Sequence, residues 1–244
     1  GEEPMTRPVR TTPAVAPSDA APVTIRRGHF WVGVERNEHT GVAHGPMYVY
    51  WEAPAEIRQP YPIVLVHGGG PSINQELKLR GIQWEFIEGQ RVTTPAMMDV
   101  IEMVLCGHVN QKLVRQLNGA GVKAIGLSGA DAGTLVCAQS SPKLGQVGKI
   151  ETVGTELISA IVDSGTLPVI APVGVGGSGE AFNINADWAA SKLASALKAD
   201  KLIFLTDQSG ILNGEGQLVH EAGSKDLHQL IDNKVVTGGM YTKV

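Results

Sequence analysis

The chain has 244 residues, 43% of them hydrophobic and 18% charged, with a formal net charge of −4 and a pI near 6.0. Such a chain can bury a sizeable core as one large domain or two small ones, but it lacks the basic field of a nucleic-acid binder and the Lys/Arg run that attracts a lipid surface. The two cysteines, Cys106 and Cys137, each sit among apolar neighbours, so the sequence offers neither a disulfide framework nor a Cys-x-x-Cys metal site, and both read as buried thiols.

No apolar run approaches the ~18 residues of a membrane span, and the N-terminus lacks the apolar core of a secretory signal, so a cytoplasmic setting is expected. Residues 1–24 are a proline-rich arm with almost nothing large to bury, and are expected to be disordered. Residues 25–61 hold six of the twelve aromatics, punctuated by glycines, and read as two strands around a loop. The continuous β-formers of Met47 to Trp51 make the clearer strand.

The rest of the chain, 62–244, is organised around Pro62-Ile63-Val64-Leu65-Val66-His67-Gly68-Gly69-Gly70-Pro71. An unbroken apolar run predicts a parallel strand covered on both faces, and it ends in three glycines where a helical pattern begins. Glycines let a backbone turn its N–H groups towards an anion, with the positive end of a helix behind them. Phosphate, carboxylate or an oxyanion is the natural guest. The alternative is a tight turn with no ligand.

A helix from Ser72 to Arg80 follows, closed by Gly81, and Gln83 to Ile87 alternates like a strand. Thr94 before Pro95 predicts a helix start. That helix runs through Met98, Ile101 and Leu105, with a break near Gly107, and on to Gly119. Strands are expected at Lys123 to Leu127, Thr134 to Ala138, Leu167 to Pro172 and Lys201 to Thr206, with a hairpin-like patch reaching Val153. Helices are expected at Glu156 to Ser164, Asp187 to Leu197 and Lys225 to Asp232. This alternation predicts an α/β fold with a mainly parallel sheet and helices on both faces, whose ligands lie at the carboxyl ends of the strands.

Polar clusters fall at those strand ends. Arg91, on a loop before a helix, can grip a carboxylate in bidentate fashion or be a solvated surface charge. Asn183 and Asn185 next to Asp187 can bind a polar substrate and orient a lysine, or simply cap a helix. Thr206-Asp207 can edge a nucleotide pocket or form an ordinary turn. Gly174 to Gly179 matches G-x-G-x-x-G by letter, but the residues after it look extended, so a strand-to-strand loop is expected. No Walker-type Gly-Lys-Ser/Thr and no His-x-x-x-His pair occurs.

From about Pro62 to Val244 the sequence resembles the acetylglutamate kinases of the amino acid kinase family. The resemblance rests on Val66-His67-Gly68-Gly69-Gly70-Pro71, Gly89-Gln90-Arg91-Val92-Thr93, Gly126-Leu127-Ser128-Gly129, Asn183-Ile184-Asn185-Ala186-Asp187, Leu205-Thr206-Asp207-Gln208-Ser209-Gly210-Ile211-Leu212 and Gly238-Gly239-Met240-Tyr241-Thr242-Lys243, in that order. It implies a three-layer αβα sandwich that transfers the γ-phosphoryl of ATP, with Mg2+, to the side-chain carboxylate of N-acetylglutamate in arginine biosynthesis. It implies that Gly69, Gly70, Arg91 and Asn183 hold the acyl amino acid. Asp207, Gln208, Ser209, Gly210, Ile211, Leu212, Val235, Val236 and Thr237 would line the nucleotide pocket, and Lys243 and Asp187 would be catalytic, the aspartate organising lysines. A homo-oligomer fits the same resemblance.

The chain departs from that pattern at its start. Family members begin with a strand ending in a Lys-x-Gly-Gly type motif, whereas the first lysine here is Lys78. Residues 25–70 instead resemble the beginning of an α/β-hydrolase-type esterase, so the chain reads as two pieces joined near the shared Val-His-Gly-Gly. It also stops one residue beyond Lys243, before the family's closing helix and strand. Impaired kinase activity is the expectation. A non-catalytic domain binding acidic metabolites or nucleotide is one rival. An esterase with a His67-Gly68-Gly69 oxyanion loop is another, although Gly126-Leu127-Ser128-Gly129-Ala130 fails the last glycine of G-x-S-x-G.

Overall fold

The computed structural model describes residues 62–87, 89–205, 210–236 and 243, together with the backbone of four strands between residues 25 and 54. The chain divides into two compact units, 1–59 and 60–244. In the first, β1 (Ile25–Val32) pairs antiparallel with β4 (Met47–Pro54), and β2 (Glu35–Arg36) pairs with β3 (Ala43–His44). This is the expected pair of strands around a loop, with a second small pairing inside it. The proline-rich stretch 1–24 lies outside the described residues.

The second unit begins with β5 (Leu65–Val66), α1 (Gly70–Leu79), β6 (Phe86–Ile87), β7 (Gln90–Arg91) and α2 (Pro95–Glu102). Thr94 caps α2 as its sequence predicts, its Oγ1 accepting from the Met97 N–H at 3.3 Å with Pro95 in the first turn. The expected break near Gly107 is a π-helical stretch instead, Met103–Val109, which runs directly into α3 (Asn110–Gly119). The Asn110 N–H reaches back five residues to the Leu105 carbonyl, so the helix widens by one residue without stopping.

There follow β8 (Ala124–Ser128), β9 (Leu135–Gln139), β10 (Gly148–Val153), α4 (Glu156–Asp163), β11 (Leu167–Ala171), β12 (Val173–Val175), β13 (Ala181–Asn183), α5 (Ala186–Ala196) and α6 (Ser224–Asp232). Strands β5, β11 and β8 form a parallel sheet in that order, with Val169 opposite both Leu65 and Gly126. A second sheet, β10-β9-β12-β13, is mixed. The fold is therefore α/β with a parallel sheet at its centre.

Strand β11 is the buried middle of that sheet: Val169, Ile170 and Ala171 are all inaccessible to solvent. Alternation sends neighbouring residues to opposite faces. Ala171 joins the core built on Ile73 and Leu77 of α1, Met98 and Ile101 of α2, and Leu105. Ile170 joins the core built on Ile158 of α4, Ala189 and Leu193 of α5, and Phe182. Each fully buried Leu or Ile contributes roughly 1.5–3 kcal/mol.

Three expectations need correction. The run before the glycines is not a strand covered on both faces: only Leu65–Val66 pair, at the edge of the described sheet, and Ile63 is exposed. Of Gln83 to Ile87 only Phe86–Ile87 form a strand, because their partner is the two-residue β7. Lys201 to Leu205 form no strand, and Ile203 is 72% exposed. Apolar β-formers make a strand only where a neighbour accepts the ladder, and none among the described residues pairs here. By contrast, Gly174 to Gly179 does link two strands, β12 and β13, with Val175 opposite Ala181. It opens no helix, as a dinucleotide fingerprint would require.

Candidate active site

The carboxyl end of β5 opens into a cavity of about 190 Å³ lined by Gly68, Gly69, Gly70, Gln90, Arg91 and Asn183, among others. Helix α1 starts inside the glycine triplet, with Gly69 as its cap in extended backbone and Pro71 in the first turn. A Cβ on Gly69 would come within 2.6 Å of Leu105 Cδ2, so a larger residue there would push Leu105 of the π-helical stretch out of its place behind the turn. The first turn of α1 carries no acidic side chain, which leaves its partial positive charge available to an anion.

Arg91 is 7% exposed. Its Nη2 donates to Asn74 Oδ1 of α1, and its guanidinium carbon lies 4.7 Å from the centre of the Phe86 ring and 5.8 Å from that of Trp84. The β6–β7 hairpin thus stacks two aromatics on the cation and fixes its plane. Nη1 is buried and has no partner among the described residues. Burial pushes the guanidinium below its ordinary pKa, although not far enough to discharge an arginine. A buried cation with Nη1 unpartnered among the described residues, on a cavity wall, is chemically suited to a carboxylate.

Asn183 is tied to the same strand: its Nδ2 donates to Thr93 Oγ1 at 3.1 Å, and that hydroxyl donates to the Arg91 carbonyl at 2.9 Å. Asn185, not Asp187, caps α5, accepting from the Asp187 and Trp188 N–H groups at 2.9 and 3.1 Å. The capping role that the sequence left open for this cluster thus falls to Asn185. Asp187, one residue past the lining residue Ala186, pairs with Lys243, Nζ to Oδ2 at 2.7 Å. The Phe204 ring lies 6.0 Å from that Nζ.

Of the residues assigned to a nucleotide, Asp207, Gln208, Ser209 and Thr237 lie outside the described residues. Gly210, Ile211 and Leu212 do not line the cavity; Leu212 bridges to Leu218 in a small hairpin. Val235 and Val236 follow α6, and a Cβ on Gly214 would lie 3.9 Å from Val235 Cγ2. Gly214, two residues past the first assigned stretch, therefore lies near the start of the second, away from the glycine turn's lining.

Sequence reasoning missed Asn110. It is 1% exposed and sits where the π-helical stretch becomes α3. Its Nδ2 donates to the Val169 carbonyl at 2.8 Å and to His67 Nε2 at 3.2 Å. A Cβ on Gly126 would lie within 2.0 Å of its Oδ1, so Gly126 is the glycine that admits it. The available signal was an asparagine interrupting an apolar helix face, which reads equally as a solvated residue. Ser128, the esterase nucleophile candidate, is bound to Asp131 through both its N–H and its hydroxyl, at 2.6 and 3.0 Å, with no histidine on it. Both thiols are free, Cys137 buried as expected and Cys106 half-buried; burial raises Cys106 to about 12 and Cys137 to about 11.

A parallel sheet whose strand end feeds a glycine helix start, faced by a buried arginine, defines an α/β protein with a cavity suited to an anion. Residues 52–244 match the amino acid kinase family, and the chain belongs to that family. The match begins ten residues before Pro62, inside β4. The chain is 47% identical to the acetylglutamate kinase of Ruegeria pomeroyi over 180 residues, 74% of this chain and 63% of that protein. It is also 47% identical to the acetylglutamate kinase of Geotalea uraniireducens over 193 residues, covering 66% of the latter. It therefore spans less than two thirds of the length of these relatives. Among solved structures, smu.665 from Streptococcus mutans UA159 superposes with a TM-score of 0.71 at 31% identity, over 75% of this chain and 74% of the other.

Proposed function

We propose that this chain is an acetylglutamate kinase-type phosphotransferase, which moves the γ-phosphoryl of ATP to the side-chain carboxylate of N-acetyl-L-glutamate in arginine biosynthesis. The observation that carries the reading is Arg91, buried on the cavity wall with Nη1 unpartnered and the helix start of Gly69 and Gly70 among the same lining residues. Relatives of that name at 47% identity support it. We assign the complete domain a three-layer αβα sandwich, which the two cores flanking β11 support.

Phosphoryl transfer to a carboxylate needs no covalent intermediate. Two anions must be held in line while cations and backbone N–H groups take up charge on the equatorial oxygens. In this scheme Gly69, Gly70, Arg91 and Asn183 hold the acyl amino acid, the Gly69 and Gly70 N–H groups meeting its reacting carboxylate. Lys243, held by Asp187, supplies a cation, and Asp207 to Leu212 with Val235 to Thr237 border the nucleotide. Among the described residues no three His, Cys, Asp or Glu side chains gather into a cation site, so Mg2+ would travel on the phosphate oxygens of ATP and its own waters.

Residues 1–77 contain no lysine, so the family's first lysine has no counterpart ahead of the glycine turn and turnover is slow. Trapping the acyl phosphate with hydroxylamine tests the reading. Hydroxamate should form only when ATP and N-acetylglutamate are both present. Formation without ATP, or none at any enzyme concentration while N-acetylglutamate also fails to bind, contradicts it.

A further inference from the structure

The glycine turn is held by a relay that begins at the neighbouring strand β11 and the helix residue Asn110. His67, 7% exposed, is the last residue before the glycines, and its N–H continues the β5–β11 ladder to the Ile170 carbonyl at 3.2 Å. Its Nδ1 lies 2.9 Å from the Gly68 carbonyl oxygen, and its Nε2 lies 3.2 Å from Asn110 Nδ2. A carbonyl can only accept, so Nδ1 must carry the ring proton. Nε2 is then a lone pair, which the Asn110 amide matches by donating. The amide cannot flip without losing its bond to the Val169 carbonyl at 2.8 Å. In a trans peptide C=O and N–H point in opposite directions, so fixing the Gly68 carbonyl against the imidazole fixes the Gly69 N–H on the side away from it. That N–H donates to no backbone acceptor among the described residues.

We propose that Asn110 and His67 are positioning residues: the Asn110 amide selects the Nδ1–H tautomer of His67, which anchors the Gly68 carbonyl and aims the Gly69 N–H into the cavity as an anion donor. The proposal deepens the kinase reading, because the anion it serves is the one that reading places there. Without Asn110 the imidazole can adopt the other tautomer. An Nδ1 lone pair would then face the Gly68 oxygen, and the peptide would be free to turn its N–H out of the cavity.

The test is nitrogen-15 NMR on the full chain, first without ligand. Two-bond correlations should show His67 as the Nδ1–H tautomer. In Asn110→Ala, and independently in His67→Phe, which keeps the Asn110 bond to Val169, the Gly69 amide resonance should move while that of Leu77, deep in α1, stays. The Nε2–H tautomer in the native chain, or an unmoved Gly69 amide in the folded His67→Phe variant, overturns the proposal. N-acetylglutamate is then added. The Gly69 amide should shift in the native chain, and affinity should fall at least about tenfold in His67→Phe, as for a lost hydrogen bond to a charged group. Equal affinity in the variant overturns the relay; failure of the native chain to bind overturns the kinase reading and leaves the ligand-free result to decide the relay.

Discussion

At the scale of single residues, the polar groups around the cavity hold one another: Arg91 bonds Asn74, and Asn183 bonds Thr93, whose hydroxyl bonds the Arg91 carbonyl. Asp187→Asn separates two roles for its carboxylate. Asn185 already caps α5, so the substitution leaves the cap intact and weakens the contact to Lys243. Stability should fall by about 1–2 kcal/mol, the loss of charge from one charge-assisted bond, and hydroxamate formation by roughly 10²-fold or more. Loss of stability with unchanged turnover would make the pair structural alone. His67 carries a pH signature. Burial lowers its pKa from the ordinary 6.5, outweighing the bond to Gly68 that raises it. The unfolded chain therefore binds more protons than the folded one below that value, and stability should decline as pH falls from about 6.5 towards the folded pKa. Urea midpoints measured between pH 7.5 and 5.5 should show a shallower slope in His67→Phe. An unaltered slope would place the titrating group elsewhere. Arg91 was legible from the sequence as a candidate, carboxylate ligand or surface charge, and its burial on the cavity wall removes the surface reading. Its aromatic bracket was not, because Trp84 and Phe86 reach it only once the hairpin turns back.

At the scale of elements, helix α1 and the hairpin β6–β7 form the walls, and the π-helical stretch sets how closely they approach. Two glycines, one within that stretch and one facing Asn110 at its end, predict opposite outcomes. Gly107 is exposed, has open space around it and lacks a positive φ, so Gly107→Ala should stabilise by about 0.4–1 kcal/mol through the unfolded chain. Gly126 faces Asn110 at close range, so Gly126→Ala should destabilise by about 1–3 kcal/mol and displace the amide. Equilibrium urea unfolding reads both, and equal effects of one sign would contradict this packing. Helix caps and glycine stops were readable from the sequence because they depend on neighbours within a few residues, as Thr94 and Pro95 show. The π-helical widening was not, since its cause is tertiary: Leu105 must fill the space behind Gly69 while Asn110 reaches the sheet. The missing strand at Lys201 to Leu205 has the same origin, an apolar run that needs a partner the local sequence cannot supply.

At the scale of the whole molecule, the amino acid kinase relationship was legible from the order of six short motifs along the chain. The two-unit division is legible as a change in composition near residue 60, where aromatics and glycines give way to alternating helices and strands. What the sequence could not give was the distribution of strands between two sheets, since the mixed β10-β9-β12-β13 sheet arises from pairings over long separations. The absence of a lysine before Lys78 predicts slow chemistry. Replacing residues 1–61 with a family-type Lys-x-Gly-Gly strand and its helix should raise hydroxamate formation by at least ~10²-fold, the usual worth of one preorganised donor. An unchanged rate would mean that another cation already reaches the phosphoryl group.

The central claim is that the cavity recognises N-acetyl-L-glutamate through Arg91, and calorimetric titration of the full chain tests it most directly. The native chain should bind the ligand, and Arg91→Ala should bind it about 1.5–3 kcal/mol more weakly, the range for a hydrogen bond to a charged group, with Arg91→Lys failing to restore it because a point charge cannot reproduce the planar fork. Undiminished affinity in Arg91→Ala, or no binding to the folded native chain, would contradict the account.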